Sequence, residues 1–318
     1  MKTWLRALLF SLALPAAAMA QTWPARPVKI ILANSPGAAT DLVGRVFTDS
    51  LSRAVGRPVT IENRPGADGY IGAQAVASSP PDGYTLFFGS QSVFALDPNI
   101  KKVMPVDPVK DFTAIAVAID DTGATGLFAH PSNPFRTFNE LIAYGKANPG
   151  KLTVATTVPL FGMLNSWINH RAGTNITEIR YKTTAQANQD ALSGQVTLIL
   201  SAFGPFEGFV KAEKVRTLVV SRPVEGYDIP SLASFYPEFN QPSFVVLAGP
   251  AGMPAELVQR INRATAGVVE APNFNRDLAS IRWRNVEGAR TPEGTVEFIR
   301  RNREAWGKFV QEIGMKPE

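Results

Sequence analysis

From Val28 onward the chain alternates short apolar runs with longer amphipathic ones. "VKIIL" at 28–32 is a compact, β-branched run of the kind found in parallel strands covered on both faces. A stretch of small residues follows, Ser35-Pro36-Gly37-Ala38-Ala39-Thr40-Asp41. Then Leu42, Val43, Val46, Phe47, Leu51 and Val55 recur at helical spacing, with Gly56 as the stop. "PVTIEN" predicts the next strand. Residues 64–90 predict a Gly-rich turn, a helix of small residues, a Pro-Pro-Asp-Gly turn and an apolar strand ending at Gly89-Ser90. The grammar then repeats without any sequence repeat. Residues 151–157 read as a strand, "VPLF" as a loop, and Phe161, Leu164, Trp167 and Ile168 as a helix face that Gly173 closes. "TEIRYK", "ANQDALSG" and "QVTLILSAF" continue as strand, helix and strand. After Val245 strand character resumes, and two helices are predicted to the end, starting near Pro254 and near Pro292. The second has Thr291 as N-cap, Pro at the first helical position and the acid Glu293.

Strands alternating with helices predict an α/β fold of two lobes, each a mainly parallel sheet flanked by helices. Lobe 1 is expected to comprise residues 21–124 plus 245–318, and lobe 2 residues 125–244. The chain then crosses between lobes near 122–126 and again near 243–246, and a pair of crossings makes a hinge.

Residues 1–20 change the picture of where this fold resides. Lys2 and Arg6 precede an apolar run from Ala7 to Ala18, and Ala18-Met19-Ala20 supplies a small-x-small cleavage site, which together read as a secretory signal peptide. The expectation is a periplasmic protein beginning near Gln21, since the chain has no cysteine for a disulfide or a lipid anchor. Removing Lys2 and Arg6 lowers the net charge from +5 to +3, with the remaining basic residues scattered. Such a surplus excludes a nucleic-acid footprint and favours anionic small molecules weakly. With 45% hydrophobic residues both lobes can hold a core.

The candidate chemistry is sparse. His130 and His170 stand apart from each other and from any carboxylate cluster, so no metal site is expected. There is no G-x-S-x-G elbow, P-loop lysine motif or zincin motif, and the glycines of 66–72 lack the G-x-G start of a dinucleotide loop, so no cofactor is expected. Asp41, Ser35, Ser90 and Lys182 lie near predicted strand ends, yet no nucleophile with a base and an orienter can be assembled from them. A noncatalytic site is therefore preferred. The 35–41 loop lies at the carboxyl end of a strand and the start of a helix, where unpaired backbone N–H groups and the helix dipole attract anions. Thr40 or Asp41 could cap that helix, and Asp41 would orient the loop or accept from a ligand N–H or O–H rather than touch an anion. Thr156-Thr157-Val158-Pro159 holds the equivalent place in the second lobe, so two helix starts would converge on one cleft.

The residues that carry a family likeness are "WPARPVKIILANSPGAATD", similar to a strand followed by P-G-G-G-T-D, and "ENRPGADGYIGAQAVASSPPDGYTL", similar to N-R-P-G-A-G-G-x-I-G-A…P-D-G-Y-T-L. With "DPVKDF", "GPAGMP" and "GMKPE", they extend over essentially the whole chain after residue 20. The sequence resembles the extracytoplasmic solute-binding receptors of tripartite tricarboxylate transporters, the Bug proteins. That resemblance implies a type II periplasmic-binding-protein fold, a monomer that binds a small-molecule carboxylate, and delivery of it to membrane permease subunits. It places the ligand at Ser35, Pro36, Gly37, Ala38, Ala39, Thr40, Asp41, Ser90 and Gln91 of the first lobe. In the second lobe it points to Thr156, Thr157 and Val158, to the 181–184 segment with Lys182 and Thr183, and to Ser201, Ala202 and Phe203.

Three departures bear on the ligand. Ala38 and Ala39 replace glycines, "TTVPLFGM" replaces a polar loop, and an acid often found after the later strand is absent around Ala202-Phe203-Gly204. The last argues against an amino-acid ligand. Phe161 and Phe203 suggest a flat, apolar-bodied acid, for instance an aromatic mono- or dicarboxylate such as terephthalate. A ligand sensor for a two-component signalling system would use the same residues, and a periplasmic hydrolase is disfavoured by the missing base.

Overall fold

The computed structural model describes residues 23–120, 123–239, 243–283, 290–315 and 317. The expected signal peptide at 1–20 lies outside the described residues. Two five-stranded sheets organise the rest, with helices on their faces.

The first sheet contains β1 (Val28–Leu32), β2 (Val59–Asn63), β3 (Thr85–Ser90), β4 (Phe112–Ile119) and β10 (Val245–Pro250), in the order β2-β1-β3-β10-β4. The second contains β5 (Thr125–Ala129), β6 (Thr153–Thr156), β7 (Thr177–Arg180), β8 (Leu198–Ala202) and β9 (Arg216–Val220), in the order β7-β6-β8-β5-β9. Each sheet is mixed, with one strand running against the other four: β10 is antiparallel to β3 and β4, and β5 to β8 and β9. These are the first strands formed after each crossing between sheets. They enter without a βαβ connection, so nothing forces them parallel.

In the first lobe, α1 (Ala39–Val55) buries Val43, Phe47 and Leu51 and ends on the left-handed Gly56. α2 (Tyr70–Ala77) covers the other face of the sheet, and a π-helical segment, Ser92–Leu96, leads into the short α3 (Asp97–Ile100). The second lobe adds α4 (Phe138–Ala147), α5 (Pro159–Ala172), α6 (Thr184–Leu192), α7 (Phe203–Lys211) and α8 (Leu232–Phe235). The chain then returns through β10 to α9 (Ala255–Val269), α10 (Pro272–Ser280) and α11 (Pro292–Glu312). Three helices replace the two predicted, because Pro272 ends one helix path and opens another as its first residue. Thr291 does cap α11, its hydroxyl accepting from Gly294 N–H.

The lobes are joined by more than their crossings. The apolar core of the first lobe continues into the second where Trp167 of α5 stacks on Phe309 of α11, ring centres 5.7 Å apart, with Phe239 against both. Arg282, after α10, pairs with Glu207 of α7 at 2.8 Å. That pairing draws the Glu207 carboxyl well below the ordinary carboxylate range, to about 2, with Lys211 and the Tyr227 hydroxyl adding to it. Between the two sheets, where strand ends and helix starts converge, lies a cleft.

Candidate functional site

The cleft has a volume of about 710 Å3 and lies at the carboxyl ends of the central strands of both sheets. That volume is within the ~300–1,000 Å3 typical of small-molecule sites. Of the residues expected from sequence, Ser35, Gly37, Ala38, Ala39, Thr40 and Ser90 line it from the first lobe. Thr157, Val158, Lys182, Thr183 and Ser201 line it from the second. Gln91 lines a smaller recess that shares several of these walls, and its amide oxygen accepts from Phe244 N–H at 3.2 Å, which ties it to the second crossing.

Four expected members do not face the cleft. Pro36 is exposed outside it. Thr156, the last residue of β6, is fully buried and its hydroxyl donates to Glu178. Phe203 is core: its ring packs among Phe128, Phe206 and Tyr227, and its N–H donates to Ala124 at 2.8 Å. It opens α7, and within that first turn Pro205 reaches the cleft while the Phe203 ring turns into the core. Phe161, the other phenylalanine considered, does line the cleft.

Asp41 is the fourth, and its position explains how the loop is built. Its side chain is almost wholly buried and accepts from four directions: Gly37 N–H at 2.9 Å, Asn63 Nδ2 at 2.9 Å, and Arg45 Nε and Nη2 at 3.0 Å each. The same Asn63 amide reaches Asn34 O at 3.0 Å, so loop, helix and β2 meet on one carboxylate. Burial opposes its charge, yet the donors from Arg45, Gly37 and Asn63 outweigh that and hold its pKa below the ordinary 3.8. The stability it contributes is therefore present above that value and is lost as pH falls through the depressed one. Neither expected cap forms: Ala38 occupies the N-cap position without a side-chain bond. Gly37, at φ 78°, needs a glycine, whereas Ala38, at φ −68°, does not.

This scaffold decides which donors remain. Gly37 N–H is consumed by Asp41, and Ala38 N–H by Ser35 O at 3.1 Å. Ala39 and Thr40 are the first two residues of α1, so their N–H groups have no partner within the helix. Both line the cleft, at the positive end of a 17-residue helix. Across from them, Lys182 forms no ion pair among the described residues. Thr183 caps α6 by accepting from Gln186 N–H, which keeps its hydroxyl proton available. Tyr181 donates its hydroxyl to Asp190 at 2.7 Å; burial and that carboxylate push its pKa up to about 12, so it stays protonated.

Two charged cleft residues lie outside the set expected from sequence. Asp68 sits on the Gly-rich turn after β2, and Arg180 is the last residue of β7; they pair across the cleft at 2.8 Å. The Gly-rich turn was visible in the sequence as a motif, but its pairing partner lies on the other lobe and carries no local signal. Among the described residues no group of three His, Asp or Glu side chains could hold a metal. No helix among the described residues is long and apolar enough to cross a membrane.

A family model described as "Tripartite tricarboxylate transporter family receptor" matches residues 43–315, most of the chain. The chain belongs to the tripartite tricarboxylate transporter receptor family. A UPF0065 protein of Bordetella bronchiseptica is 31% identical over 312 residues, covering 97% of this chain and 92% of the relative. BugT of Bordetella pertussis is 29% identical, covering 93% of this chain and 92% of its own length. Among solved structures, a protein of R. palustris with adipate superposes with a TM-score of 0.86 at 25% identity, covering 93% of this chain and all of that one. The periplasmic binding protein BugD superposes with a TM-score of 0.85 at 24% identity, over 93% of this chain and all of BugD. The receptor's two-lobed α/β architecture is thus that of periplasmic binding proteins.

Proposed function

We propose that this receptor captures an apolar-bodied carboxylate in its interlobe cleft, in the periplasm, and hands it to the permease of a tripartite tricarboxylate transporter. The observation that carries the reading is the pair of unpartnered N–H groups of Ala39 and Thr40, at the start of α1 and on the cleft wall. They would hold one carboxylate. The Ser35, Ser90 and Ser201 hydroxyls would complete its shell, and Lys182 and Thr183 would face it from the second lobe. Phe161, Val158 and Ile71 supply apolar surface for the ligand body, which favours an aromatic or long aliphatic acid. Adipate in the R. palustris relative is in keeping with that class. The only carboxylate among the described lining residues is Asp68, already engaged by two cations, which leaves none of those residues to grip an α-ammonium. Lobe boundaries at 124/125 and 244/245 are proposed with it, and closure about those crossings would bury the ligand.

A thermal-shift panel of aliphatic, amino and aromatic carboxylates tests the reading. A ligand present at 100 times its Kd is expected to stabilise by ~2.7 kcal/mol and raise Tm by about 5 °C. An amino acid that outperforms every simple carboxylate, or a panel without any shift, would contradict it.

A further inference from the structure

We propose that Arg180 is the specificity-determining residue that selects a ligand with a second carboxylate, and that Asp68 is the positioning residue that presents its guanidinium at the cleft. The inference rests on the carboxylate reading above and names which side chain answers the far end of the ligand.

The charged residues lining the cleft are Asp68, Arg180 and Lys182, two cations against one carboxylate. That carboxylate is itself divided. Its Oδ2 meets Lys101 Nζ at 2.8 Å and its Oδ1 meets Arg180 Nη2 at 2.8 Å. One negative charge therefore serves two cations and leaves a positive surplus. Arg180 approaches Asp68 through Nη2, while a guanidinium carries five N–H donors in a planar fork suited to gripping a carboxylate by two bonds. Its remaining donors are not taken by any hydrogen bond among the described residues. Its side chain is 42% exposed, so an entering ligand can reach it.

The backbone beneath Asp68 points the same way. Gly66, Ala67, Asp68 and Gly69 all have positive φ, 114°, 46°, 58° and 96°. Glycine adopts such angles freely, whereas Ala67 and Asp68 hold them against a steric cost. The motif that this stretch resembles carries glycine where Asp68 stands. A side chain kept at a strained position, on the cleft and paired to the opposite lobe, has a role in the cleft. The N–H pair of Ala39 and Thr40 belongs to the first lobe and Arg180 to the second, so a ligand held at one end by the former offers its other end to the latter.

The competing account is that the Asp68–Arg180 pair only latches the lobes together. The two are separated by calorimetric Kd values for matched acids, adipate against hexanoate and terephthalate against benzoate. The full chain is used, and the melting point of each variant is taken to confirm folding. The wild type is expected to prefer the diacid of each bound pair by about tenfold or more. Arg180→Gln is expected to erase that preference by weakening the diacid alone, with the monoacid unchanged within about twofold. Asp68→Asn is expected to reduce the preference in part, and Arg180→Lys to restore part of it, since a lysine keeps the charge and loses the fork. Equal weakening of mono- and diacids by Arg180→Gln would establish the latch and overturn the proposal, as would an unchanged preference. If the wild type bound none of the four acids, the carboxylate reading itself would fall, and this one with it.

Discussion

Asp41→Ala is expected to cost the receptor both stability and ligand affinity, although Asp41 does not line the cleft. The substitution removes the acceptor for Gly37 N–H, for one bond of Asn63 and for both bonds of Arg45. Arg45 is half exposed and can turn to water, so its loss is small. Asn63 is half-buried, and its donor left unpaired costs ~1–3 kcal/mol, whereas Gly37 is exposed and its amide can turn to water, for a destabilisation of about 1–3 kcal/mol. Gly37 would then be free to leave its left-handed conformation, and the start of α1 would lose the loop that frames it. Carboxylate affinity should fall by at least about tenfold, the equivalent of one misplaced pair of N–H donors. Denaturant unfolding measures the first effect and calorimetry the second. An Asp41→Ala protein that unfolds like the wild type and binds with unchanged Kd would show that the carboxylate does not organise the loop.

A second large effect concerns pH. Asp97, the first residue of α3, is fully buried with both carboxylate oxygens unpartnered, near the Tyr70 hydroxyl. Burial outweighs Tyr70 and the Lys101 and Arg180 charges, with Asp68 adding to it, and pushes its pKa up to about 7. A raised carboxyl favours the protonated fold, so its contribution is fully present below the ordinary 3.8 and is lost as pH rises through about 7. Wild-type stability should therefore carry a declining component between roughly pH 4 and 7, worth up to about 4 kcal/mol. Asp97→Asn is expected to remove that component, making the variant the more stable of the two at pH 8 and flattening its curve. Tm measured for both proteins across this range checks it. Parallel curves would mean that Asp97 is not the group responsible. The Asp41 contribution moves in the opposite sense and below that window, so the two are separable.

The strand, small-residue loop and helix at 28–55 could be read from the sequence because local pattern encodes all three: a β-branched run, a stretch without bulky side chains, and a helical period ending at Gly56. Direction was harder. Nothing within "VVLAGP" says that β10 runs against β3 and β4, since antiparallel entry is settled by where the chain returns. Phe203 and Thr156 sit at strand ends, as cleft residues should. Which way a side chain faces depends on the first turn of α7 and on the pleat of β6, and these two side chains both turn inward. The split between α9 and α10 has a local sign in Pro272, which hydrophobic period alone does not register. Asp41 was expected to orient the loop, yet its bond reaches back to Gly37 and needs Asn63 from β2, a partner chosen only by the fold. Asp68 and Arg180 illustrate the limit most directly: each is ordinary in its own segment, and only closure of two lobes makes them neighbours.

The central claim is that the start of α1 recognises the anion of a carboxylate, and one comparison tests it most directly. The Kd of the strongest acid in the panel is measured beside that of its methyl ester, which keeps the ligand body and removes the charge. Recognition by the Ala39 and Thr40 N–H groups predicts that the ester binds at least about tenfold more weakly. An ester that binds as tightly as the acid would contradict it.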